Sequence, residues 1–330
     1  MHELNGWRDL NMARALNEAL ADEMTRDSRV FVMGEDVGRL GGVFTVTRGL
    51  LEKFGPERVR DTPVSEAAIV GLGLGAAVVG MRPVVELMYM DLCALAMDQI
   101  VNHAAKFRYM YGGGKLRVPL VIRTQVGYGR GVGAQHSQSL EAWFAHVPGL
   151  KVVIPSNACD AKGLLKSAIR DDNPVLFVEH TMLYFKKARV PSHEYTVPLG
   201  VASVVREGRD ATIVCYGMMV QRCLEAADEL SCESREVEVI DMRTVAPLDT
   251  DTIASSVKKT NRLIIVQQAC RSGGLAGEIA MSTMERVFDY LDAPIQRVAG
   301  VDAPIPFNRN LEARAVPTTE DIVQAVRATL

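Results

Sequence analysis

Glu66 is the residue whose type and surroundings point most directly to chemistry. It ends the segment DTPVSE, where a short strand is predicted to give way to a helix. Ser65 is a suitable N-cap for that helix, because its hydroxyl can accept a backbone N–H of the first turn. Residues 67–79 are all small or apolar, and a helix without a polar face is expected to be buried. An unpaired carboxyl group in a dry environment tends to hold a proton, which suits general acid–base chemistry. The alternative is a first-turn glutamate that only complements the helix dipole.

His136 is the second candidate, because it follows an unusual run of glycines. Glycine occupies positions 127, 129, 131 and 133, directly before the segment AQHSQS at 134–139. Alternate glycines allow a loop to adopt positive φ and to approach a ligand closely. The loop also follows a predicted strand, and open α/β sheets bind ligands beyond the carboxyl ends of their strands. A histidine in such a loop is either catalytic or incidental, and the residues alone leave both interpretations open.

Alternating strands and helices are predicted to position both candidates. In the first half of the chain, apolar runs typical of buried parallel strands alternate with helical patterns. The predicted strands are Val30–Met33, Arg82–Met88, Val118–Ile122, Lys151–Ile154 and Val175–Val178. The predicted helices are 9–27, one from Ser65, Asp91–Met110 and Ser156–Arg170, the last with Ser156 as its N-cap. This order predicts an α/β fold in which a parallel sheet has helices on both faces.

A change of pattern divides the chain. Residues 186–205 contain several charged residues and prolines and interrupt the alternation. A second, shorter set of predicted elements follows, with strands at Ala211–Tyr216, Val237–Asp241, Leu263–Gln267 and Ile295–Val298, and helices near Met219–Leu230 and Gly274–Tyr290. We therefore predict a first domain at residues 1–187, a linker at 188–205 and a smaller α/β domain at 206–330.

Composition argues against several classes of protein. The net charge of -3 provides no electrostatic footprint for nucleic acid. No apolar run reaches the roughly 20 residues of a membrane-spanning helix, and the N-terminal residues lack the features of a secretory or organelle-targeting segment. A bacterial cytoplasmic protein is the simplest expectation. The six cysteines contain no Cys-x-x-Cys pair, so buried structural thiols are favoured over disulfides or a zinc site.

Nine segments, considered together, resemble a single family. They run in the family's order along nearly the whole chain: GEDV (34–37), DTPVSE (61–66), GMRP (80–83), DQI (98–100) with AAK (104–106), AQHSQ (134–138), PGLKVV (148–153), DAKGLL (160–165), DDNPV (171–175) and VAPLD (245–249). Together they resemble the beta subunits of the thiamine-diphosphate-dependent 2-oxo acid dehydrogenases, the decarboxylating components of the pyruvate, branched-chain oxo acid and acetoin dehydrogenase complexes. The resemblance implies a transketolase-like pyrimidine-binding domain followed by a transketolase C-terminal domain.

The resemblance also implies roles for particular residues. In this family the glutamate matching Glu66 hydrogen-bonds a ring nitrogen of the cofactor's aminopyrimidine and shares its proton there. The histidine matching His136 lines the active-site channel and is linked to acylation of a lipoyl group or to stabilising the bound intermediate. Met88 and Leu92 lie where family members contact the aminopyrimidine. Most members have an aromatic residue at the Leu92 position, so this chain departs from the pattern. Tyr89 is a candidate replacement, and plain core packing is the alternative for all three residues.

A structural potassium ion is a further implication of the resemblance. Some family members hold one through backbone carbonyls, and the matching positions are Leu120, Ala168, Asp171 and Asn173. Asp171 and Asn173 suit oxygen coordination of a hard cation. A helix C-terminal turn before Pro174 is the alternative, and it is slightly favoured.

A missing motif implies a partner. Most families that use this cofactor bind its diphosphate and Mg²⁺ through a Gly-Asp-Gly motif, which the chain lacks. The resemblance therefore implies an alpha subunit that supplies the diphosphate and Mg²⁺ half of the site. The family assembly has two alpha and two beta subunits and docks on a dihydrolipoyl acyltransferase core with lipoyl domains. The helix from Ser65 and the methionine-rich stretch Met88–Met97 are the candidate contact surfaces, with a role in the core as the alternative.

The predicted activity is decarboxylation of a pyruvate-type 2-oxo acid, or cleavage of acetoin, with transfer of the acyl group to a lipoyl domain. A branched-chain 2-oxo acid dehydrogenase beta subunit is one alternative. A second is a thiamine-diphosphate-dependent acyl or ketol transferase subunit of secondary metabolism. A third is a scaffold subunit without chemistry, against which the presence of both Glu66 and His136 argues.

Overall fold

The computed structural model describes residues 6–113 and 115–330, so the first five residues and Gly114 lie outside the described part. The expectation about the N-terminal residues stays a prediction. Two compact units make up the described chain. The first contains the residues up to Val126 together with Trp143–Leu199, and the second contains Gly127–Ala142 and Gly200–Leu330. Among the described residues, no helix combines the length and apolar composition that crossing a membrane requires.

The first unit alternates strands with helices, as the apolar runs predict. Its strands are β1 (Trp7–Asn11), β2 (Val30–Gly34), β3 (Val59–Asp61), β4 (Arg82–Leu87), β5 (Val121–Val126), β6 (Lys151–Val153), β7 (Val175–His180) and β8 (Lys187–Pro191). Its helices are α1 (Met12–Arg26), α2 (Leu50–Phe54), α3 (Glu66–Val78), α4 (Ala105–Gly112) and α6 (Ala158–Arg170), while α5 (Glu141–Ala145) spans the boundary between the two residue ranges.

Six strands of the first unit run parallel in the order β6-β7-β5-β4-β2-β3. Strands β2, β4, β5 and β7 are buried along nearly their whole length, which explains why their sequences are continuous apolar runs rather than alternating ones. Gly34 at the end of β2 is the register partner of both Asp61 and Glu86. Because parallel strands end at the same edge of a sheet, the residues that follow β2, β3 and β4 lie along one edge.

The residues before α1 and part of the predicted linker form a pair of strands. β1 runs antiparallel to β8, with Trp7 opposite Pro191 and Asn11 opposite Lys187. The predicted linker at 188–205 therefore begins with strand residues, and its bounds stay a prediction. Helix α1 starts later than predicted because residues 9–11 belong to β1. The charged residues and the proline of β8 do not form an apolar run, so they did not predict a strand. Edge strands, however, commonly carry both charge and proline.

Two other predicted elements differ from the structure. The single helix predicted at Asp91–Met110 is divided into a 3-10 helix at Met90–Ala96, a π-helical segment at Asp98–Ala104 and then α4. The strand predicted at Val118–Ile122 begins three residues later, as β5. Pro119 explains this shift, because proline has no N–H to donate to a strand ladder.

The predictions for helix caps and for α3 need correction. Ser65 occupies the N-cap position of α3, but its hydroxyl makes no capping hydrogen bond. Asn157, rather than Ser156, caps α6, because its side chain accepts a first-turn N–H.

The apolar helix α3 is also not buried all round, since Leu72 is 62% exposed and Val79, just after the helix, is 81% exposed. The chain by itself leaves one side of α3 as an uncovered apolar surface.

The second unit is a smaller α/β unit. Its strands are β9 (Ser203–Arg206), β10 (Ala211–Cys215), β11 (Val237–Asp241), β12 (Thr244–Ala246), β13 (Leu263–Cys270) and β14 (Gln296–Gly300). Its helices are α7 (Met219–Ser231), α8 (Thr250–Thr260), α9 (Leu275–Val287), α10 (Arg309–Arg314) and α11 (Thr319–Arg327). Five strands form a sheet in the order β14-β13-β10-β11-β9, in which β9 is antiparallel to β11 and the other pairs are parallel. Its core includes Ile213, Val239 and Ile322.

The cysteines follow the predicted pattern in part. Cys93, Cys215 and Cys223 are buried, as predicted for structural thiols, and all six cysteines are free. Cys232 and Cys270 are exposed, so the prediction is wrong for these two. Both lie at the ends of elements, Cys232 directly after α7 and Cys270 as the last residue of β13.

Candidate active site

Glu66 is the first residue of α3 and is only 5% exposed. Its carboxyl group forms no hydrogen bond or ion pair with any described residue. Buried polar groups in folded proteins are nearly always hydrogen-bonded, and leaving one unpaired is unfavourable. A buried carboxyl group without a protein partner is therefore arranged to receive a ligand.

Glu35 lies at the same edge of the sheet, directly after β2, and sequence reasoning missed its role. Its Oε1 atom is buried and has no hydrogen-bond partner among the described residues. Burial raises the pKa of Glu35, and the negative charges of Glu66, Asp36 and Glu86 raise it further. The available signal was an acidic residue immediately after a buried strand, in GEDV. Glu35 and Glu66 thus place two carboxyl groups, each with an oxygen that has no hydrogen-bond partner among the described residues, at one edge of the sheet. Such an arrangement suits holding a proton.

The residues after β4 form the apolar part of this edge. Met88 and Leu92 are half-buried, so each retains surface that a ligand can contact. The ring of Tyr89 packs edge-on against Phe44, with ring centroids 6.2 Å apart. Burial raises the pKa of Cys93 to about 12, and the charges of Asp91 and Glu66 act in the same direction. The thiol of Cys93 is therefore neutral, and this fully buried group is close enough to Glu66 to be affected by its charge.

A buried ion network crosses the sheet next to this edge. The fully buried Arg123 donates to Glu179 at 2.6 and 2.7 Å and to Glu86 at 2.5 Å. The hydroxyl of Tyr184 donates to Glu179 at 2.6 Å. Burial raises the pKa of Glu86, although the charge of Arg123 opposes the shift. Sequence reasoning missed this network, whose signal was an arginine in the middle of an otherwise apolar strand.

His136 lies in the second unit, in the segment 127–140, called here the glycine loop. Gly127, Gly129, Gly131 and Gly133 all have φ between 67° and 112°, as the alternate glycines predict. His136 is half-buried, and its backbone N–H donates to the carbonyl of Gly133 at 3.3 Å.

A cavity of about 380 Å³ lies beside the glycine loop within the second unit. Ser137, Gln138 and Ser139 line it from the loop, and Gln268 and Cys270 line it from the end of β13. Glu66, Met88 and Leu92 belong to the first unit, so the predicted site residues are distributed over both units.

The residues predicted for a potassium site are already engaged with protein groups. The carboxylate of Asp171 pairs with Lys151 and also accepts the backbone N–H and side-chain amide of Asn173 at 2.8 and 2.7 Å. The side-chain oxygen of Asn173 accepts from Arg108. These side chains do not fit a cation site as they stand.

The backbone carbonyls of Leu120, Ala168 and Asp171 each accept at least one N–H, that of Asp171 from the guanidinium of Arg82 at 3.0 Å. Leu120 accepts from Val175 at 2.9 Å, and Ala168 accepts from Asp171 at 3.3 Å, in the turn that ends α6. The geometry favours the helix C-terminal turn, and the potassium ion stays a prediction. Over residues 6–113 and 115–330, no three or more His, Cys, Asp or Glu side chains are grouped so that they could hold a metal ion.

Comparison with known proteins decides the family. The chain matches the family models described as transketolase, pyrimidine binding domain, over residues 8–187, and transketolase, C-terminal domain, over residues 200–322. The mitochondrial pyruvate dehydrogenase E1 component subunit beta-2 of Oryza sativa subsp. japonica is 48% identical over 97% of this chain and 86% of its own length. The pyruvate dehydrogenase E1 component subunit beta of Rickettsia felis is 49% identical over 96% of this chain and 97% of its own length.

The chain belongs to the beta subunits of the thiamine-diphosphate-dependent 2-oxo acid dehydrogenases. A solved structure described as a split gene transketolase, an inactive beta4 tetramer, shares the fold of this beta subunit. It has a TM-score of 0.78 and covers 97% of this chain and 98% of its own, at 23% identity. The family membership confirms the predicted α/β architecture with its two transketolase-type domains.

Proposed function

We propose that this chain provides the pyrimidine half of a thiamine diphosphate site in a pyruvate-type 2-oxo acid dehydrogenase. The observation that carries the proposal is the buried carboxyl group of Glu66, which has no partner among the described residues. The aminopyrimidine of the cofactor offers ring nitrogens with which such a carboxyl group pairs. The names of the relatives, which are pyruvate dehydrogenase subunits, favour pyruvate as the substrate.

Glu66 is the proton-sharing residue of this proposal. When bound, thiamine diphosphate supplies the nucleophilic carbon and the electron sink for cleaving the bond next to a 2-oxo group. Glu66 would share a proton between its carboxyl oxygen and a pyrimidine nitrogen. Burial limits the access of water to that shared proton. Proton transfer by a positioned side chain contributes roughly 10²–10⁴-fold to the rate.

Glu35 limits the negative charge of the site. Burial and the nearby charge of Glu66 raise the pKa of Glu35, so Glu35 is easier to protonate than an exposed glutamate. Its buried Oε1 atom is a second acceptor or donor at the sheet edge. We propose that Glu35 stabilises whichever protonation state Glu66 adopts.

Met88 and Leu92 are proposed to contact the pyrimidine ring. Both are half-buried, so their side chains retain free apolar surface. Leu92 provides van der Waals contact where an aromatic residue would stack. Tyr89 already packs against Phe44, which favours Leu92 itself as the contact.

His136 is proposed to act in transfer of the acyl group to a lipoyl domain. An imidazole can give and accept a proton near neutral pH, which suits protonation of the sulfur that is released when the lipoyl disulfide opens and its other sulfur takes the acyl group. The glycine loop around His136 is the only segment of this proposal that belongs to the second unit, and it borders the cavity described above.

An alpha subunit is proposed to bind the diphosphate and Mg²⁺ and to complete the site, in an assembly of two alpha and two beta chains. Obligate interfaces are large and apolar. The uncovered side of α3, with Leu72 and Val79, and the nearby exposed Leu95 support an apolar contact of this kind. We further propose that the assembly docks on a dihydrolipoyl acyltransferase core in the bacterial cytoplasm.

Reconstitution tests the proposal. The chain would be combined with the alpha subunit, thiamine diphosphate, Mg²⁺ and a lipoyl domain, and acylation of the lipoyl group would be followed by mass spectrometry. We expect acylation with pyruvate. Acylation only with branched-chain 2-oxo acids or acetoin would move the assignment to those enzymes. Turnover without acylation by any of these substrates would favour the secondary-metabolism transferase.

A further inference from the structure

Glu312 holds the glycine loop by its backbone. It lies in α10 and is only 1% exposed. Its Oε1 atom accepts the N–H of Gly129 at 2.7 Å, and its Oε2 atom accepts the N–H of Gly131 at 3.2 Å. Hydrogen bonds to an ionised carboxylate are among the strongest in proteins. One buried carboxylate thus accepts hydrogen bonds from two N–H groups of the loop.

Phe307, which precedes α10, packs closely against the same loop. A Cβ atom placed on Gly133 would lie 2.5 Å from Cζ of Phe307, and one on Gly131 would lie 3.1 Å from the carbonyl oxygen of Phe307. Both glycines also have positive φ. The glycines therefore allow the loop to approach Phe307 closely. Because glycine is conformationally permissive, these contacts help to fix the conformation of the loop.

The other end of the loop is held by side chains. Ser139 accepts a hydrogen bond from the amide of Gln268 at 2.7 Å. Glu141, directly after the loop, accepts the hydroxyl of Tyr216 at 3.0 Å. His136 lies between this end and the Glu312 contacts, and no helix or strand of its own supports it. The contacts at the two ends of the loop therefore contribute to its conformation around His136.

We propose that Glu312 is a positioning residue, which fixes the glycine loop and thereby sets the position of the His136 imidazole for acyl transfer. The inference rests on the proposed role of His136 in that step. Displacement of a reacting group by about 1 Å can lower a rate about 100-fold. Loss of the Glu312 carboxylate is therefore expected to slow acyl transfer about 10–100-fold, while proton sharing at Glu66 continues.

Whether Glu312 restrains the glycine loop can be measured by proteolysis, without any assay of activity. Arg130 lies between the two anchored glycines, so trypsin cleavage after Arg130 reports opening of the loop. In the assembled complex, we expect Glu312→Ala to accelerate this cleavage at least 10-fold and Glu312→Gln, which keeps one acceptor oxygen, to give an intermediate rate. The matched control is Glu238→Gln, because Glu238 is also buried in the second unit and accepts a backbone N–H, that of Gly208. Cleavage at the wild-type rate in both Glu312 variants would overturn the inference.

A comparison of two activities tests positioning against a general structural role. Acylation of a lipoyl domain requires His136 in the proposed function, whereas oxidation by a soluble dye requires only the decarboxylation step. We expect the Glu312 variants to lose acylation about 10–100-fold and dye reduction less than about threefold, with Glu312→Gln closer to wild type. Equal loss of both activities, or no loss of either, would overturn the positioning role. If Glu312→Ala does not fold, the trypsin cleavage and the two activities are measured on Glu312→Gln alone.

His136→Ala separates this inference from the proposed function. Normal acylation by His136→Ala would refute the role of His136, while the trypsin result would still report whether Glu312 holds the loop. Impaired acylation by His136→Ala together with normal acylation by both Glu312 variants would overturn the positioning inference alone.

Discussion

Replacing Glu66 by glutamine separates a chemical role from a structural one, because the two roles predict different effects on stability. Glutamine keeps the size and shape of the side chain but carries no negative charge and cannot share a carboxyl proton. In the native chain Glu66 is 5% exposed, and its carboxyl group has no hydrogen-bond partner among the described residues. The substitution therefore breaks no hydrogen bond or ion pair within the described part of the chain.

The expected magnitudes follow from this burial. A buried polar group without a partner disfavours the folded state by about 1–3 kcal/mol, so Glu66→Gln should leave the free energy of unfolding unchanged or raise it within that range. The reconstituted enzyme should lose roughly 10²–10⁴-fold in turnover number. Urea unfolding of the beta subunit measures the stability, and reductive acylation of a lipoyl domain measures turnover.

Glu179→Gln is the matched control for stability. Glu179 is a buried glutamate of the same sheet, but it is hydrogen-bonded to Arg123 and Tyr184. Breaking a buried ion pair by removing one partner destabilises by about 3–5 kcal/mol. A Glu66→Gln variant destabilised as much as Glu179→Gln would show that the carboxylate has a structural partner. Turnover within threefold of wild type would refute the proton-sharing role.

Three further predictions concern other parts of the chain. Arg123→Met leaves two buried carboxylates without their cation and should lower the free energy of unfolding by about 3–5 kcal/mol in urea titrations; a loss below 1 kcal/mol would be inconsistent with the buried network. Gly133→Ala adds a methyl group against an aromatic ring, whereas Gly273→Ala has similar φ and no atom within 4 Å. Gly133→Ala should therefore be the less stable by about 1–3 kcal/mol in thermal unfolding, and equal stability would contradict the predicted clash. Burial acts to raise the pKa of Glu18, but hydrogen bonds from Lys162 and Arg8 outweigh it and lower the pKa. This stabilisation is complete above the unfolded pKa of about 4.3 and is lost as pH falls through the lower folded value. The stability gap between wild type and Lys162→Met should therefore narrow below about pH 4, and a gap independent of pH would count against the ion pair.

The sequence predicts the elements whose pattern is local. The continuous apolar runs identify β2, β4, β7, β10 and β11 because parallel strands are buried on both faces. Glu66 is also accessible to sequence reasoning, since an acidic residue at the start of an apolar helix stands out. For the same reason, the positive φ values of the glycine loop follow from its alternate glycines.

Contacts between distant residues are not visible in such patterns. Glu312 is more than 180 positions away from Gly129 and Gly131, and nothing in the sequence near Glu312 or near the glycine loop identifies this contact. In the sequence, Arg123 is only a charged residue in an apolar strand. Its partners Glu86 and Glu179 lie on the two neighbouring strands, which the local sequence does not reveal. The charged residues of β8 are not typical of a strand, so the local sequence did not predict one. Its partner β1 lies at the other end of the first unit's sequence, so the pairing was not visible either.

For the apolar helix from Ser65, the sequence left open both burial in the core and contact with a partner. The helix after Ser65 has no polar face, which predicted complete burial, yet Leu72 and Val79 are exposed in this chain. A composition typical of a buried helix does not tell whether the same chain or a partner chain covers it. An interface therefore resembles a core until the structure of the single chain shows what remains uncovered.

The most direct measurement is the distance between the Glu66 carboxyl group and the pyrimidine ring in a crystal structure of the assembled alpha and beta subunits with thiamine diphosphate. We predict that a carboxyl oxygen lies within about 2.6–3.2 Å of a ring nitrogen, with no water molecule between them. A solvent-exposed Glu66, or one separated from the ring by another protein group, would contradict the proposed mechanism.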